Sequence, residues 1–321
     1  MNILKFYNKS VQGYKKKYKS KHWLKYDNRR HLFNLKGLKN FRNNGLSKGL
    51  DDQYLIKKQK KIFYNLINNL GENYVLSNLN TTNVGNNKNI FKYKKYFVDA
   101  GQCFHIKWLH ELENYVFIKK KTYNILEIGA GYGGLASKII NKINCKYFII
   151  DLPEANLLSS YYLSKTFSKK IINISTPWKK FKNIKFDLII NTRSMQEMNY
   201  KIILEYFKYI HKNLKKNGFF LNVNRYTKST VGERINFYEF PYDNNWKVII
   251  SKKSWRQNWT HLLLTRRQFK NKIDKKKFIS EIKSIYFLSI FYILKDFCTM
   301  NIRYIWLFYV NIIKFLKKVF K

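Results

Sequence analysis

Short apolar runs alternate with amphipathic segments through the middle of the chain. The apolar runs have the length of buried strands, and they read NILEIG, KYFIID, IINIS, FDLIINT and GFFLNVN in order. The segments between them repeat apolar residues at helical spacing, in LASKIINKI, EANLLSSYYLSKTF and YKIILEYFKYIHKNLKKNG. Gly218, after a lysine-rich turn, predicts the end of the last of these helices. The alternation predicts an α/β fold whose mostly parallel sheet is covered on both faces.

Two last runs, KVIISKK and HLLLTRR, predict an antiparallel pair of strands that closes the sheet. Helical spacing also appears earlier, over Gln53–Leu70 and Trp108–Ile118. The pattern therefore predicts a basic, helical N-terminal region on the substrate side over residues 1–115. The sheet domain follows over residues 116–270, and a basic amphipathic tail over residues 271–321.

The tail contains two uncharged stretches, Ser284–Leu294 and Tyr304–Ile313. A helix of 11 residues spans only about 16 Å, against a hydrocarbon core of about 30 Å. Because each stretch is short and flanked by lysine, the pattern predicts peripheral contact with a membrane surface through residues 284–321. The alternative is that these helices pack on the core or on a second subunit.

Composition changes the picture in two ways. The 321 residues include 63 Lys and Arg but 19 Asp and Glu, a net charge of +44, while 45% are hydrophobic, which excludes a disordered chain. The charge fits either a polyanionic partner or an A/T-rich genome, because Lys, Asn, Ile, Phe and Tyr are abundant together. The 3 cysteines share no ligand or redox spacing, and no secretory pattern opens the sequence, so a cytoplasmic location is expected, with the option of peripheral attachment to the membrane.

Candidate chemistry concentrates in ILEIGAGYGG, Ile125–Gly134, where a strand runs into a glycine-rich loop and then a helix. Glycines let the backbone turn tightly and approach a ligand. Asp151 ends the next strand, 24 residues after Glu127, where a carboxylate can hold the hydroxyls of a ribose. The spacing of Gly129, Gly131 and Gly134 also fits a nicotinamide-dependent oxidoreductase. An acid two residues before the first glycine, however, suits a cationic amino-acid cofactor better than a pyrophosphate.

These motifs resemble those of class I S-adenosylmethionine-dependent methyltransferases, which implies a Rossmann-like sheet with an antiparallel last strand and S-adenosyl-L-methionine as cofactor. NFRNNGLSKGLDD, FIIDLPEA and FDLIINTRSMQEMN are similar to the sugar O-methyltransferase family of surface-polysaccharide gene clusters. The resemblance spans roughly Asn40 to Arg267. It implies that the cofactor is bound by Glu127, Gly129, Ala130, Gly131, Tyr132, Gly133, Asp151, Leu152 and Asn191.

The resemblance also places the residues from Asn191 to Glu197 beside the transferred methyl group. Glu197 is the candidate general base, because its neutral neighbours and its place after a strand favour burial and a raised pKa; a structural carboxylate is the alternative. Arg193 and Arg225 follow the fourth and fifth strands and could clamp a phosphate or carboxylate of the acceptor, although solvated loop charges are equally expected. Asp51 is a further candidate for substrate binding. No metal site is predicted.

The predicted acceptor is a carbohydrate hydroxyl on a polysaccharide or glycolipid precursor, which could be phosphorylated or lipid-linked. A nucleic-acid methyltransferase is a second hypothesis, motivated by the charge of +44. Asn191-Thr-Arg-Ser stands where base-amine methyltransferases carry an N-P-P-Y type motif, and no Cys follows a Pro, so ribose methylation is the form left open. No specific binding of nucleic acid is expected under the first hypothesis. A binding protein with a degenerate cofactor fold is a third.

Overall fold

The computed structural model describes residues 3–13, 15–19, 21–24, 31–44, 46, 55–119, 121–167, 172–228, 234–254, 260–268 and 276–283. Its α-helices are α1 (Ile3–Gln12), α2 (Lys21–Leu24), α3 (Leu35–Lys39), α4 (Ile56–Leu70), α5 (Glu72–Ser77), α6 (Ala100–Tyr115), α7 (Gly134–Lys142), α8 (Pro153–Thr166) and α9 (Tyr200–Asn213). Its strands are β1 (Phe91–Tyr93), β2 (Tyr96–Val98), β3 (Tyr123–Ile128), β4 (Cys145–Ile150), β5 (Ile172–Ser175), β6 (Phe186–Thr192), β7 (Leu214–Arg225), β8 (Thr227–Lys228), β9 (Ile235–Asn236), β10 (Trp246–Lys253) and β11 (Thr260–Arg267).

A seven-stranded sheet organises the molecule in the order β10-β11-β7-β6-β3-β4-β5. Strands β3 to β7 pair in parallel, whereas β11 pairs antiparallel with both β7 and β10. The order reverses between β3 and β6, whose carboxyl ends flank the switch point where open α/β sheets bind ligands. The carboxyl end of β4 lies beside that of β3. This arrangement confirms the predicted fold class, a mostly parallel, Rossmann-like α/β sheet whose last strand is antiparallel.

Apolar side chains cover both faces of the sheet. Ile125, Leu188 and Leu221 share one core cluster with residues of α7 and α8, while their neighbours on the opposite face pack against α9. Two buried residues of the N-terminal region, Leu38 and Phe41, belong to the first cluster. The N-terminal region therefore shares its core with the sheet and packs directly on it.

The end of α9 differs from the sequence-based expectation. The helix ends at Asn213, and β7 begins at Leu214 and runs through Gly218, so the prediction of a helix closed by Gly218 is wrong. Leu214 is buried and pairs with the start of β6, which draws the chain into the sheet directly after the helix. Gly218 allows close packing instead, because a Cβ there would lie 2.9 Å from the Leu214 side chain.

No helix in the described ranges has the length and apolar character that spanning a bilayer requires. The two tail stretches, Ser284–Leu294 and Tyr304–Ile313, lie outside those ranges, so the predicted membrane contact through residues 284–321 stays a prediction.

Candidate active site

The loop between β3 and α7 has a backbone that requires glycine. Gly129, Gly131 and Gly133 have φ values of +76°, +59° and +86°, a region that L-residues rarely occupy. A Cβ at Gly129 would lie 1.9 Å from the Ser194 hydroxyl, so this glycine lets the loop after β6 pack closely on it. A Cβ at Gly131 would meet no atom of the described residues within 4 Å. Space for a ligand therefore adjoins the loop at Gly131.

The side chains of the same loop turn into the protein. Tyr132 is buried, its ring lies 5.1 Å below the Arg42 guanidinium, and it packs edge-on against Tyr162. Ala130 is partly buried against the first core cluster. These contacts fix the loop from below, and a direct contact of Ala130 or Tyr132 with a cofactor stays a prediction.

Asp151 lies beside this loop, one residue past β4. Its Oδ2 accepts a hydrogen bond from the Gly131 amide at 2.9 Å, and its Oδ1 accepts one from the Leu152 amide at 2.7 Å. Burial raises the pKa of Asp151 to about 7, with the Glu154 charge adding to it and the two amides opposing it. Leu152 is buried just before α8, whose first residue is Pro153. The carboxyl group is thus held at the edge of the open space.

Glu127 lies on the neighbouring strand, two residues before Gly129 and almost fully buried. Its carboxylate accepts a hydrogen bond from the Tyr147 hydroxyl at 2.8 Å. Burial raises its pKa to about 7, opposed by the Tyr147 bond and reinforced by the Asp151 charge. The predicted pair of acids on adjoining strands is therefore near enough to interact electrostatically, at the end where the glycine loop is open.

Glu197 ends a 3-10 turn, Met195–Glu197, that follows β6. Burial raises its pKa to about 7, and the charge of Asp151 adds to this, whereas a hydrogen bond from the Trp23 indole and the charge of Arg225 oppose it. A raised pKa of Glu197 is the direction that its neutral neighbours in the sequence predict. A carboxyl group with a pKa near neutral pH can exchange a proton with a substrate under physiological conditions.

Asn191 has a supporting position under this turn. Its side chain is fully buried, its Nδ2 donates to the Ile128 carbonyl at 2.8 Å, and its Oδ1 accepts from the Met195 amide at 3.1 Å. Asn224 donates to the same Oδ1 at 2.8 Å and to Asn222 at 2.6 Å. This network ties the end of β3 to the turn that carries Glu197, and a contact between Asn191 and a cofactor stays a prediction.

Asn222 and Asn224 were not predicted as site residues, although the sequence carries a signal for them. GFFLNVN places asparagine at alternate positions of an otherwise apolar strand. Alternate residues of a strand face the same side, and buried amides need partners. The N-x-N pattern could therefore have predicted a buried polar network at the end of β7.

The predicted clamps fall near the same turn. Arg193 adopts a φ of +62°, and its amide donates to the Val223 carbonyl at 2.7 Å. Its Nη1 is buried and has no hydrogen-bond partner within the described part of the chain. The Arg225 amide donates to the Gln196 side chain at 3.2 Å. Asp51 lies outside the described residues.

No cluster of three or more His, Cys, Asp or Glu side chains arranged to hold a metal ion occurs within the described ranges. The residues that do converge are two strand-end acids, a glycine loop with open space beside it, and a third acid with a pKa near 7. This set can hold a polyhydroxylated ligand that carries a positive charge and can accept a proton next to it.

No protein-family model and no curated protein matches the chain. Among solved structures, N-methyltransferase NodS from Bradyrhizobium japonicum WM9, in complex with S-adenosyl-L-homocysteine, is 14% identical, with a TM-score of 0.41 over 51% of this chain and 87% of that one. A methyltransferase from Pyrococcus furiosus is 14% identical, with a TM-score of 0.38 over 51% of this chain and 83% of that one. Phosphoethanolamine N-methyltransferase 1 from Haemonchus contortus is 12% identical, with a TM-score of 0.40 over 57% of this chain and 46% of that one.

Proposed function

We propose that the chain is an S-adenosyl-L-methionine-dependent O-methyltransferase that acts on a sugar hydroxyl of a polysaccharide or glycolipid precursor. One observation carries the cofactor part of this proposal: the Asp151 carboxylate bonds to the Gly131 amide at 2.9 Å, at a loop position where a Cβ would meet open space. Glu127 on the adjoining strand supplies a second acid. An open glycine loop flanked in this way suits a nucleoside that also bears cationic groups.

The described residues fit this cofactor in distinct ways. Asp151 would accept hydrogen bonds from the two ribose hydroxyls, and Leu152 would pack on the adenine. Glu127 would face the positively charged amino-acid part, which stabilises its ionised form. The gap at Gly131 would admit the ligand against the backbone.

When bound, the cofactor supplies a methyl group on a sulfonium leaving group. The chain then has to align the acceptor oxygen opposite that leaving group, and alignment of reactants can contribute about 7–11 kcal/mol in favourable cases. Glu197 accepts the proton of the acceptor hydroxyl as its oxygen forms the new bond to carbon, which contributes about 10²–10⁴-fold. The Glu197 carboxyl group afterwards returns the proton to water.

The acceptor class rests on the residues around Glu197. The run from Asn191 to Met198 resembles the sugar O-methyltransferase family, and Arg193 offers a buried Nη1 without a partner in the described residues. A guanidinium group in that state suits an acceptor that carries phosphate. We therefore propose a phosphorylated or lipid-linked sugar as acceptor, reached from the cytoplasmic face of a membrane.

The dinucleotide alternative fits the sheet less well. The Rossmann fold of dehydrogenases has the order 3-2-1-4-5-6, whereas here the antiparallel β11 is inserted between β7 and β10. Titration calorimetry with S-adenosylmethionine, S-adenosylhomocysteine and NAD tests the cofactor. Binding of the first two and not of NAD is expected, and the reverse result contradicts the proposal.

Methyl transfer from labelled cofactor then tests the acceptor. The substrates are nucleotide-linked sugars, lipid-linked sugars and an RNA oligonucleotide, each offered separately. Transfer to a sugar substrate is expected. Transfer to RNA alone would support ribose methylation, the hypothesis that the charge of +44 motivates.

A further inference from the structure

An N-terminal strap, defined as residues 15–19 and 21–24, crosses the carboxyl edge of the sheet. Lys17 and Tyr18 both donate hydrogen bonds to Glu205 of α9, each at 2.7 Å. Lys19, whose side chain is 1% exposed, pairs with Glu154 in the first turn of α8 at 2.6 Å. Because α8 and α9 pack on opposite faces of the sheet, the strap must pass over the strand ends that lie between them.

Of the two ion pairs that anchor the strap, the buried Lys19–Glu154 pair shows better where the strap is fixed. An ammonium group leaves water only when it is paired, and Lys19 is paired with an acid that lies three residues after Asp151. Lys17 is 53% exposed, so its pair contributes little to stability. The strap is therefore fixed most firmly beside the strand that carries Asp151, and its next residues continue toward the candidate active site.

The strap ends at the candidate base. The Trp23 indole donates a hydrogen bond to the Glu197 carboxylate. Two charged groups also face that carboxylate, Asp151 from the end of β4 and Arg225 from the end of β7. A neutral N–H donor holds one carboxylate oxygen without neutralising the charge, so the carboxylate keeps its capacity to accept a proton.

We propose that Trp23 is a positioning residue that orients the Glu197 carboxylate for proton transfer from the acceptor. The inference rests on the proposed function. The hydrogen bond removes the rotational freedom of a side chain on a short 3-10 turn, and the buried Lys19–Glu154 pair on α8 holds the strap that carries Trp23 in place.

Trp23→Phe tests the hydrogen bond, because it keeps an aromatic ring and removes the N–H donor. Without the donor, the ionised form of Glu197 loses support and its pKa rises. The acidic limb of the pH dependence of kcat should move upward by about one pH unit, and kcat at pH 7 should fall about fivefold as the ionised fraction of Glu197 decreases. Cofactor affinity by calorimetry should not change. The matched control is Lys17→Met, which removes an exposed anchor of the same strap and should leave the acidic limb in place.

A second measurement does not depend on the variant's folding. The indole N–H resonance of Trp23 in the wild-type protein should titrate with an apparent pKa near that of Glu197, about 7, and this titration should vanish in Glu197→Gln. A wild-type indole resonance that does not titrate, or an unmoved acidic limb in Trp23→Phe, overturns the inference. Absence of cofactor binding by the wild type would instead overturn the proposed function, so the two failures are distinguishable.

Discussion

Acids at the two ends of the parallel strands have pKa values that are shifted in opposite directions. At the carboxyl ends, burial raises the pKa of Glu127, Asp151 and Glu197 to about 7 in each case. At the amino end of β6, burial also acts to raise the pKa of Asp187, but hydrogen bonds from Lys121, the Asn124 amide and Lys215 outweigh it and lower that pKa.

The difference shows at which end of the strands the buried acids reduce the free energy of unfolding. The chain has 63 basic residues for 19 acidic ones, so cationic partners are abundant, and Asp187 takes two of them. Within the described part of the chain, the hydrogen bonds of Glu127 and Asp151 come instead from a phenol and from backbone amides. Buried acids held at a raised pKa cost folding free energy and cluster at functional sites. This contrast supports the proposed assignment of the carboxyl end to catalysis and of the amino end to structure.

The substitution Glu197→Gln should have the largest effect of those that test the contrast between the two ends of the strands. The amide keeps the size of the side chain but cannot take the acceptor's proton, so kcat should fall about 10²–10⁴-fold. Cofactor affinity should stay within about twofold, because the change affects proton transfer and not the ribose contacts. Steady-state kinetics and calorimetry measure the two quantities.

Glu72→Gln is the matched control for that prediction. Glu72 starts α5 and pairs with Lys94 on the surface, so turnover should be unchanged. Normal turnover in Glu197→Gln would remove this residue as the base and leave it a structural carboxylate.

The next largest effect is expected when one acid at the carboxyl end and one at the amino end of the strands are replaced separately. Asp151→Asn should weaken cofactor binding by about 1–3 kcal/mol, because the ribose hydroxyls lose a charged acceptor. Asp187→Asn, at the opposite end of the sheet, should leave cofactor affinity unchanged while lowering the melting temperature. Calorimetry and thermal denaturation of both variants provide the test, and equal losses of affinity at the two ends would contradict the assignment.

The two ends should also respond to pH with opposite signs. The folded-state pKa of Glu127 is raised, so its contribution to stability is present below its ordinary pKa and is lost as pH rises toward about 7. Glu127→Gln stays neutral and should gain about 2–3 kcal/mol over the wild type at pH 8 relative to pH 5, without cofactor. The lowered pKa of Asp187 gives stability that is present above its ordinary pKa and is lost as pH falls through the native value.

Thermal melts across pH measure this contrast, at about 2–4 °C per kcal/mol for a domain of 150–250 residues. Asp187→Asn should cost less at pH 3 than at pH 7, whereas the Glu127→Gln gain should grow with pH. If both variants changed stability in the same direction with pH, the distinction between the two ends would fail.

Sequence alone could predict the sheet and the acids at its carboxyl ends, because both depend on local pattern. A strand that runs into glycines fixes the place of Glu127, and the strand that follows fixes the place of Asp151. The end of α9 was mispredicted because a local cap signal at Gly218 competed with the tertiary pairing of Leu214 with Phe186. Glycine marked a close approach there and not a helix end.

The contacts around Glu197 could not be predicted for a different reason. Trp23 meets Glu197 across 174 residues of sequence, and no local pattern encodes such a contact. Lys19 and Glu154 are likewise distant in sequence and meet only because the strap passes over the strand ends. Periodicity reports which face of an element is buried, whereas the partner of a polar side chain depends on how the elements pack.

The smallest predicted effect concerns the lysines at the amino end. Lys121 and Lys215 are 47% and 41% exposed, and each contacts a different oxygen of Asp187. Because water screens both pairs, Lys121→Met or Lys215→Met alone should cost no more than about 1 kcal/mol of unfolding free energy. The double variant leaves a largely buried carboxylate with the Asn124 amide as its remaining donor among the described residues, so its cost should exceed the sum of the single losses. Denaturant melts of the wild type and the three variants complete the cycle. Additive losses would mean that the two lysines stabilise ionised Asp187 independently of each other. The amino end would then lack the cooperative ion pairing that distinguishes it from the carboxyl end.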